Sequence, residues 1–138
     1  MRRKPDEVDF LCMDWAVQRR KILGIILPER LEPNERLGKL RSTLGRVKTD
    51  AEGAADRRAT QNFPEVYTGL SLLVHRAFVS MRGEWREVMD AHYVFREIPP
   101  KVKCVELQIS QAVYFDRLAK ARLVIGSWLM ASRTRRHA

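Results

Sequence analysis

An all-α fold of five to six helices, with a C-terminal helix-turn-helix, is what the sequence predicts. Three observations carry that expectation. Apolar residues return every three or four positions in segment after segment. No stretch alternates apolar and polar residues long enough to demand a strand, and no internal repeat is visible. Prolines, glycines and small polar residues fall where one helical period stops and the next begins.

The first period runs from Asp6 to about Ile26, with Val8, Leu11, Cys12, Trp15, Ile22 and Ile26 at helical spacing and Pro5-Asp6 as its start. Gly24, Pro28 and Pro33 break its end and the stretch beyond it. A second period lies in NERLGKLRSTLGRVK, where Leu37, Leu40, Leu44 and Val47 share a face, and TDAEGAADRRATQN reads as a loop. PEVYTGLSLLVHRAFVSM places Val66, Leu70, Leu73, Val74, Ala77 and Met81 on one stripe. After Arg82-Gly83 the pattern restarts with Trp85, Val88, Met89 and His92. The expected organisation is a helical body over residues 1–82 and a helix-turn-helix part with a basic tail over 83–138.

Charge narrows the function. The chain has 138 residues and a net charge of +9, with a pI near 10.2. The excess is uneven, since residues 101–138 hold eight Lys and Arg against two acids. Such a surface attracts polyanions through counterion release, without naming which. No apolar run approaches the ~20 residues of a membrane span. The basic start lacks the apolar core of a signal peptide, so a cytoplasmic protein is expected. Cys12 and Cys104 are far apart and belong to no CxxC, and His75, His92 and His137 are scattered, so two reduced thiols and no metal or cofactor are expected.

The C-terminal segment carries the sharpest pattern. Pro99-Pro100 stops one helix and sets the first turn of the next. KVKCVELQ is about two turns long, too short to persist without packing. Ser110 is a favoured N-cap. Beyond it Tyr114, Leu118, Ala121, Ile125 and Trp128 form a core stripe, which leaves Gln111, Ala112, Phe115, Asp116 and Arg117 outward near the start of the helix. The first turns of a helix can enter a major groove, where Gln and Arg suit adenine and guanine and Ala or Phe can touch a thymine methyl. Lys101 and Lys103 are candidate phosphate contacts that fix register, and Arg133, Arg135 and Arg136 could add contacts indifferent to sequence. A short helix, a turn and a long helix is also a common packing corner, and Phe115 can equally be core.

EWREVMDAHYVF, KCVELQIS and YFDRLAKARLVIGSWL together resemble the C-terminal part of the Q antitermination proteins of lambdoid phages. The same layout is similar to the promoter-recognition helix-turn-helix of bacterial σ factors. The shared pattern is the aromatic pair Tyr93 and Phe95, Cys104 six residues before the cap, Leu107 with Ile109, Ser110, and the run from Tyr114 through Leu118 to Ala121. It covers about a third of the chain, roughly residues 84–131. DWAVQRRKILG is similar to an N-terminal feature of these proteins more loosely. Two positions depart from the pattern. Gln108 stands where the turn often has glycine, so a wider corner or another backbone conformation is expected, and Lys103 stands where an apolar residue is usual. With no cysteines for a zinc motif between the helices, the resemblance is to the zinc-free members. It implies a factor that binds double-stranded DNA overlapping a phage late promoter, joins bacterial RNA polymerase (with or without its σ factor) and suppresses pausing and termination. It also implies a polymerase-facing N-terminal part, with Trp15 and the Arg19-Arg20-Lys21 cluster as contacts, although a Trp15 at this spacing is also a core residue.

Two other readings stay open. A helix-turn-helix repressor or activator needs no contact with elongating polymerase. A dimeric one would require a self-complementary apolar surface. An interaction protein that inhibits a host nucleic-acid machine needs only the basic surface. An enzyme is not expected, because GxSxG, a phosphate loop, HExxH and a Cys–His pair are all missing. Glu84 and Glu87 are one helical turn apart, as solvated acids often are.

Overall fold

The structure, a computed structural model, describes residues 6–23, Glu35, Leu37, Gly38, Leu40, Arg41 and 67–137. Its elements are α1 (Glu7–Leu23), α2 (Leu70–Ser80), α3 (Gly83–Met89) running into a π-helical turn (Asp90–Val94), α4 (Pro100–Leu107) and α5 (Gln111–His137). The all-α expectation holds, and no strand occurs among the described residues. Most of the second period, the loop after it, Ile26 and Val66 lie outside the described residues.

Local chemistry explains the boundaries. Asp6 and Asp9 cap α1 reciprocally, the Asp9 amide donating to Asp6 Oδ1 at 3.0 Å and the Asp6 amide to Asp9 Oδ2 at 3.1 Å. Two amides that would lack partners in the first turn are thereby satisfied. Gly69, at φ +58°, turns the chain into α2 through a conformation that costs a glycine little. Arg86 donates to the Met81 carbonyl and ties the corner between α2 and α3. Pro99 and Pro100 start α4, as their fixed φ and missing donors suggest. The π turn was not legible from periodicity. In it the Phe95 amide reaches the Asp90 carbonyl, five residues back, at 3.3 Å.

One core runs from α1 to α5. Trp15, Val74, Phe78, Val88, Met89, Tyr114, Leu118, Ala121 and Ile125 belong to a single buried cluster, together with Leu40. This buried cluster draws on residues from both sides of position 82. The stripe read on α5 is buried from Tyr114 to Ile125, but Leu129 rather than Trp128 completes it.

Several polar groups buried in this core have partners, although His75 Nε2 has none among the described residues. Arg19 and Asp90 are both fully buried and share two bonds, Nε to Oδ1 at 3.1 Å and Nη2 to Oδ2 at 3.0 Å. The guanidinium lies 4.8 Å from the Phe78 ring centre. Trp15 Nε1 donates to His75 Nδ1 at 3.1 Å, which assigns the His75 proton to Nε2. His75 stacks on Tyr67 at 3.9 Å.

Candidate nucleic-acid interface

Helices α4 and α5 meet at a three-residue corner, Gln108 to Ser110. Gln108 adopts the left-handed conformation, φ 58° and ψ 42°. The Ile109 amide bonds the Cys104 carbonyl at 3.1 Å and the Gln108 amide bonds Val105 at 3.2 Å. This is the Schellman arrangement, which satisfies the last carbonyls of α4. The corner thus takes the backbone form that glycine favours, not a wider one, and Gln108 carries the strain. The Ser110 hydroxyl accepts from the Val113 amide at 3.1 Å, so Ser110 is the N-cap and α5 begins beside it.

Gln111, Ala112 and Asp116 are exposed on the first turns of α5, and Phe115 is 47% exposed. Asp116 pairs with Lys120 at 3.0 Å along the helix. Arg117 is half-buried, with Nη2 3.9 Å from Glu84. Tyr114 is buried behind this face and its hydroxyl meets His92 Nδ1 at 3.1 Å. Burial pushes the Tyr114 phenol above its ordinary range. The structure thus brings Ser110, Gln111, Ala112, Phe115 and Asp116 onto one accessible surface, with Arg117 at its edge.

The two lysines of α4 separate. Lys101 is exposed, but Lys103 is 1% exposed and cannot lie on a phosphate. The expectation for Lys103 is corrected: its side chain points into the core, where burial lowers its pKa to about 8 against the partial opposing pull of Glu97. The signal was present in the sequence, since the position is one where an apolar residue is usual. Val102 and Val105 are exposed instead, Val105 by 72%, which the short period of α4 did not reveal.

Charge is also arranged differently from its distribution along the chain. Arg122 reaches Asp6 at 2.6 Å and Asp9 at 3.2 Å. Arg133 pairs with Glu7. Glu106 takes Arg41 through two bonds, at 2.7 and 2.8 Å. Two of the C-terminal cations, Arg122 and Arg133, are thus met by acids at the start of the first helix, which counting by segment does not show.

Two of the four expected polymerase contacts, Trp15 and Arg19, are corrected because they are buried. Trp15 and Arg19 are fully buried, engaged with His75 and Asp90. Arg20 is half-buried, and its Nε donates to the Val94 carbonyl at 3.0 Å, closing the end of the π turn. Lys21 alone of the four is exposed.

Both cysteines are free and buried, and burial followed by the nearby Asp9 pushes the Cys12 thiol up to about 12. No group of three or more metal-ligating side chains occurs among the described residues. No described helix is long and apolar enough to cross a membrane. A groove of about 390 Å³ lined by Leu72, Leu73, Arg76 and Trp128 shares no residue with the corner. Fold and surface together define the class no more finely than an all-helical protein with an exposed, capped helix start. Comparison with protein-family models, with curated proteins and with solved structures finds no match to this chain.

Proposed function

We propose that the chain is a DNA-binding regulator of transcription that uses α4, the corner and α5 as a helix-turn-helix. One observation supports this above the others: Gln111, Ala112 and Phe115 stand exposed on the first turns of a helix fixed by the Ser110 cap and the Gln108 corner. In this reading α5 enters the major groove, Gln111 reads a base edge and Lys101 holds a phosphate. The resemblance to Q proteins makes the specific form a phage antitermination factor that loads beside a late promoter and joins RNA polymerase. The burial of Trp15 and Arg19 and the engagement of Arg20 favour the second form, a repressor or activator that does not travel with polymerase.

Footprinting on candidate promoter DNA tests the shared claim. Affinity should fall with salt by about 0.9 log units per phosphate neutralised for each log unit of salt. Gln111→Ala should lose about 1–3 kcal/mol of discrimination at one base pair, while Lys101→Ala weakens all sequences alike. Binding indifferent to salt and sequence overturns it. Transcription past a terminator then separates the forms: read-through only from a template with the bound site selects antitermination, and binding without read-through selects the plain regulator.

A further inference from the structure

Helix α5 runs for 27 residues, buried along one side and bare along the other. The bare side has a seven-residue period of its own. Asp116, Leu123 and Met130 recur at one position, and Ala119, Gly126 and Arg133 recur three residues after each. Leu123 is 71% and Met130 67% exposed, and the side chains of Asp116 and Arg133 are 60% and 53% exposed. A sustained heptad is the pattern by which one helix packs along another.

Gly126 points the same way independently. Glycine in a helix interior is unfavourable because it has the most conformational freedom to lose. A Cβ built on Gly126 would meet nothing within 4 Å, so no contact among the described residues requires its absence. Close approach of a second backbone would.

We propose that this face pairs two copies of the chain antiparallel, about a two-fold axis crossing α5 between Val124 and Ile125. In that register Leu123 of each chain faces Gly126 of the other, and Met130 faces Ala119. Every apolar layer joins a large side chain to a small one, as close packing needs. Asp116 faces Arg133 at both ends of the pair, satisfying the self-complementarity that a two-fold interface imposes. The parallel alternative sets Asp116 on Asp116 and Arg133 on Arg133, and opposes Gly126 to Gly126 across a void. Charge and volume therefore choose the same orientation. The present partners of these charges, Lys120 and Glu7, form exposed pairs that a facing chain can share. The pairing does not rest on the DNA reading. It bears on it, because Asp116 lies on the turn proposed to read bases, so the paired form covers that turn and the monomer is the form free to bind DNA.

Sedimentation of the full chain from about 1 to about 500 µM should show a monomer–dimer equilibrium. Gly126→Leu should raise the dimer dissociation constant by about tenfold or more, since it overfills the Leu123 layer. The same change enters open space in the monomer and removes the helix penalty of glycine, so helicity and melting temperature should hold or rise. Spin labels on Gln111→Cys should lie about 40 Å apart in the antiparallel pair, from the 1.5 Å rise per residue over two half-helices. A monomer at every concentration overturns the proposal, as does a dimer indifferent to Gly126→Leu. A short label distance overturns the orientation. Absence of sequence-specific footprinting by the monomer, with pairing at higher concentration intact, would count against the DNA reading and leave the pairing standing.

Discussion

Arg19 in the helical body and Lys103 in the corner are both cations shut away from water, and they differ in what meets the charge. Arg19 lies against Asp90 with two bonds in fork geometry and a ring beneath its guanidinium. Lys103 has burial against it and the partial attraction of Glu97 in its favour, so its proton is held less tightly than in water. The charge of Arg19 is thus met in full by its neighbours, whereas that of Lys103 is met only in part. Gln108 belongs to the same contrast, since a side chain there is kept in a backbone form that glycine would take without strain.

The largest effect should come from breaking the compensated pair. Asp90→Ala leaves a fully buried guanidinium without its carboxylate, and about 3–5 kcal/mol of stability should be lost. Urea denaturation measures this, and a loss below about 1 kcal/mol would put the pair on a par with surface ion pairs.

The opposite sign is expected at Lys103. Its pKa is about 8 folded and 10.5 as the ordinary value, so between those values the unfolded chain holds a proton that the folded chain does not. Stability therefore rises with pH across that window, and below it the full cost of the buried charge is felt. Lys103→Leu should stabilise by about 3 kcal/mol at pH 7 and converge with the parent protein above pH 10.5. A variant less stable than the parent at neutral pH would mean that the ammonium is better satisfied than its burial implies.

His75 gives the body its own pH dependence. Burial and then the nearby Arg19 charge lower its pKa from 6.5 to about 3, so the folded ring stays neutral while the unfolded one protonates. Stability should fall as pH drops from 6.5 toward 3, by about 1.4 kcal/mol per pH unit from this group. Comparing denaturation of the parent and His75→Gln at pH 6 and pH 4 isolates the contribution. Equal pH slopes would remove His75 from the account.

The smallest effect belongs to the corner backbone. Gln108→Gly should stabilise by about 1 kcal/mol, the left-handed strain relieved less the entropy of a freer unfolded chain. A destabilised variant would show that the glutamine side chain contributes a contact worth more than that strain.

The outline of the fold was legible because helical periods and proline or serine boundaries are local properties. The Ser110 cap, the Pro99-Pro100 start and the stripe from Tyr114 to Ile125 all come from spacing and side-chain chemistry. What failed depended on partners far away in sequence. Arg19 looked like surface because Asp90, its partner, is 71 positions distant. Arg122 and Arg133 looked like free basic charge because the acids they meet open the first helix. Lys103 misled in the reverse way, because its charge was weighed above its place in the pattern, where an apolar residue is usual. The outward set Gln111, Ala112, Phe115 and Asp116 was readable because it is the complement of a core stripe within one helix.

The π turn at Asp90–Val94 bears on how this chain can change length. In a regular helix, removing one residue swings everything beyond it by about 100° and scrambles the buried face. A turn closed over five residues holds one more than α geometry requires. Excising His92 would let the turn tighten to that geometry while Asp90 stays on Arg19 and Tyr93 keeps its bond to Asp9, 2.7 Å long. The body thus contains a joint where the loss of one residue can be taken up locally, without turning the buried faces on either side of it.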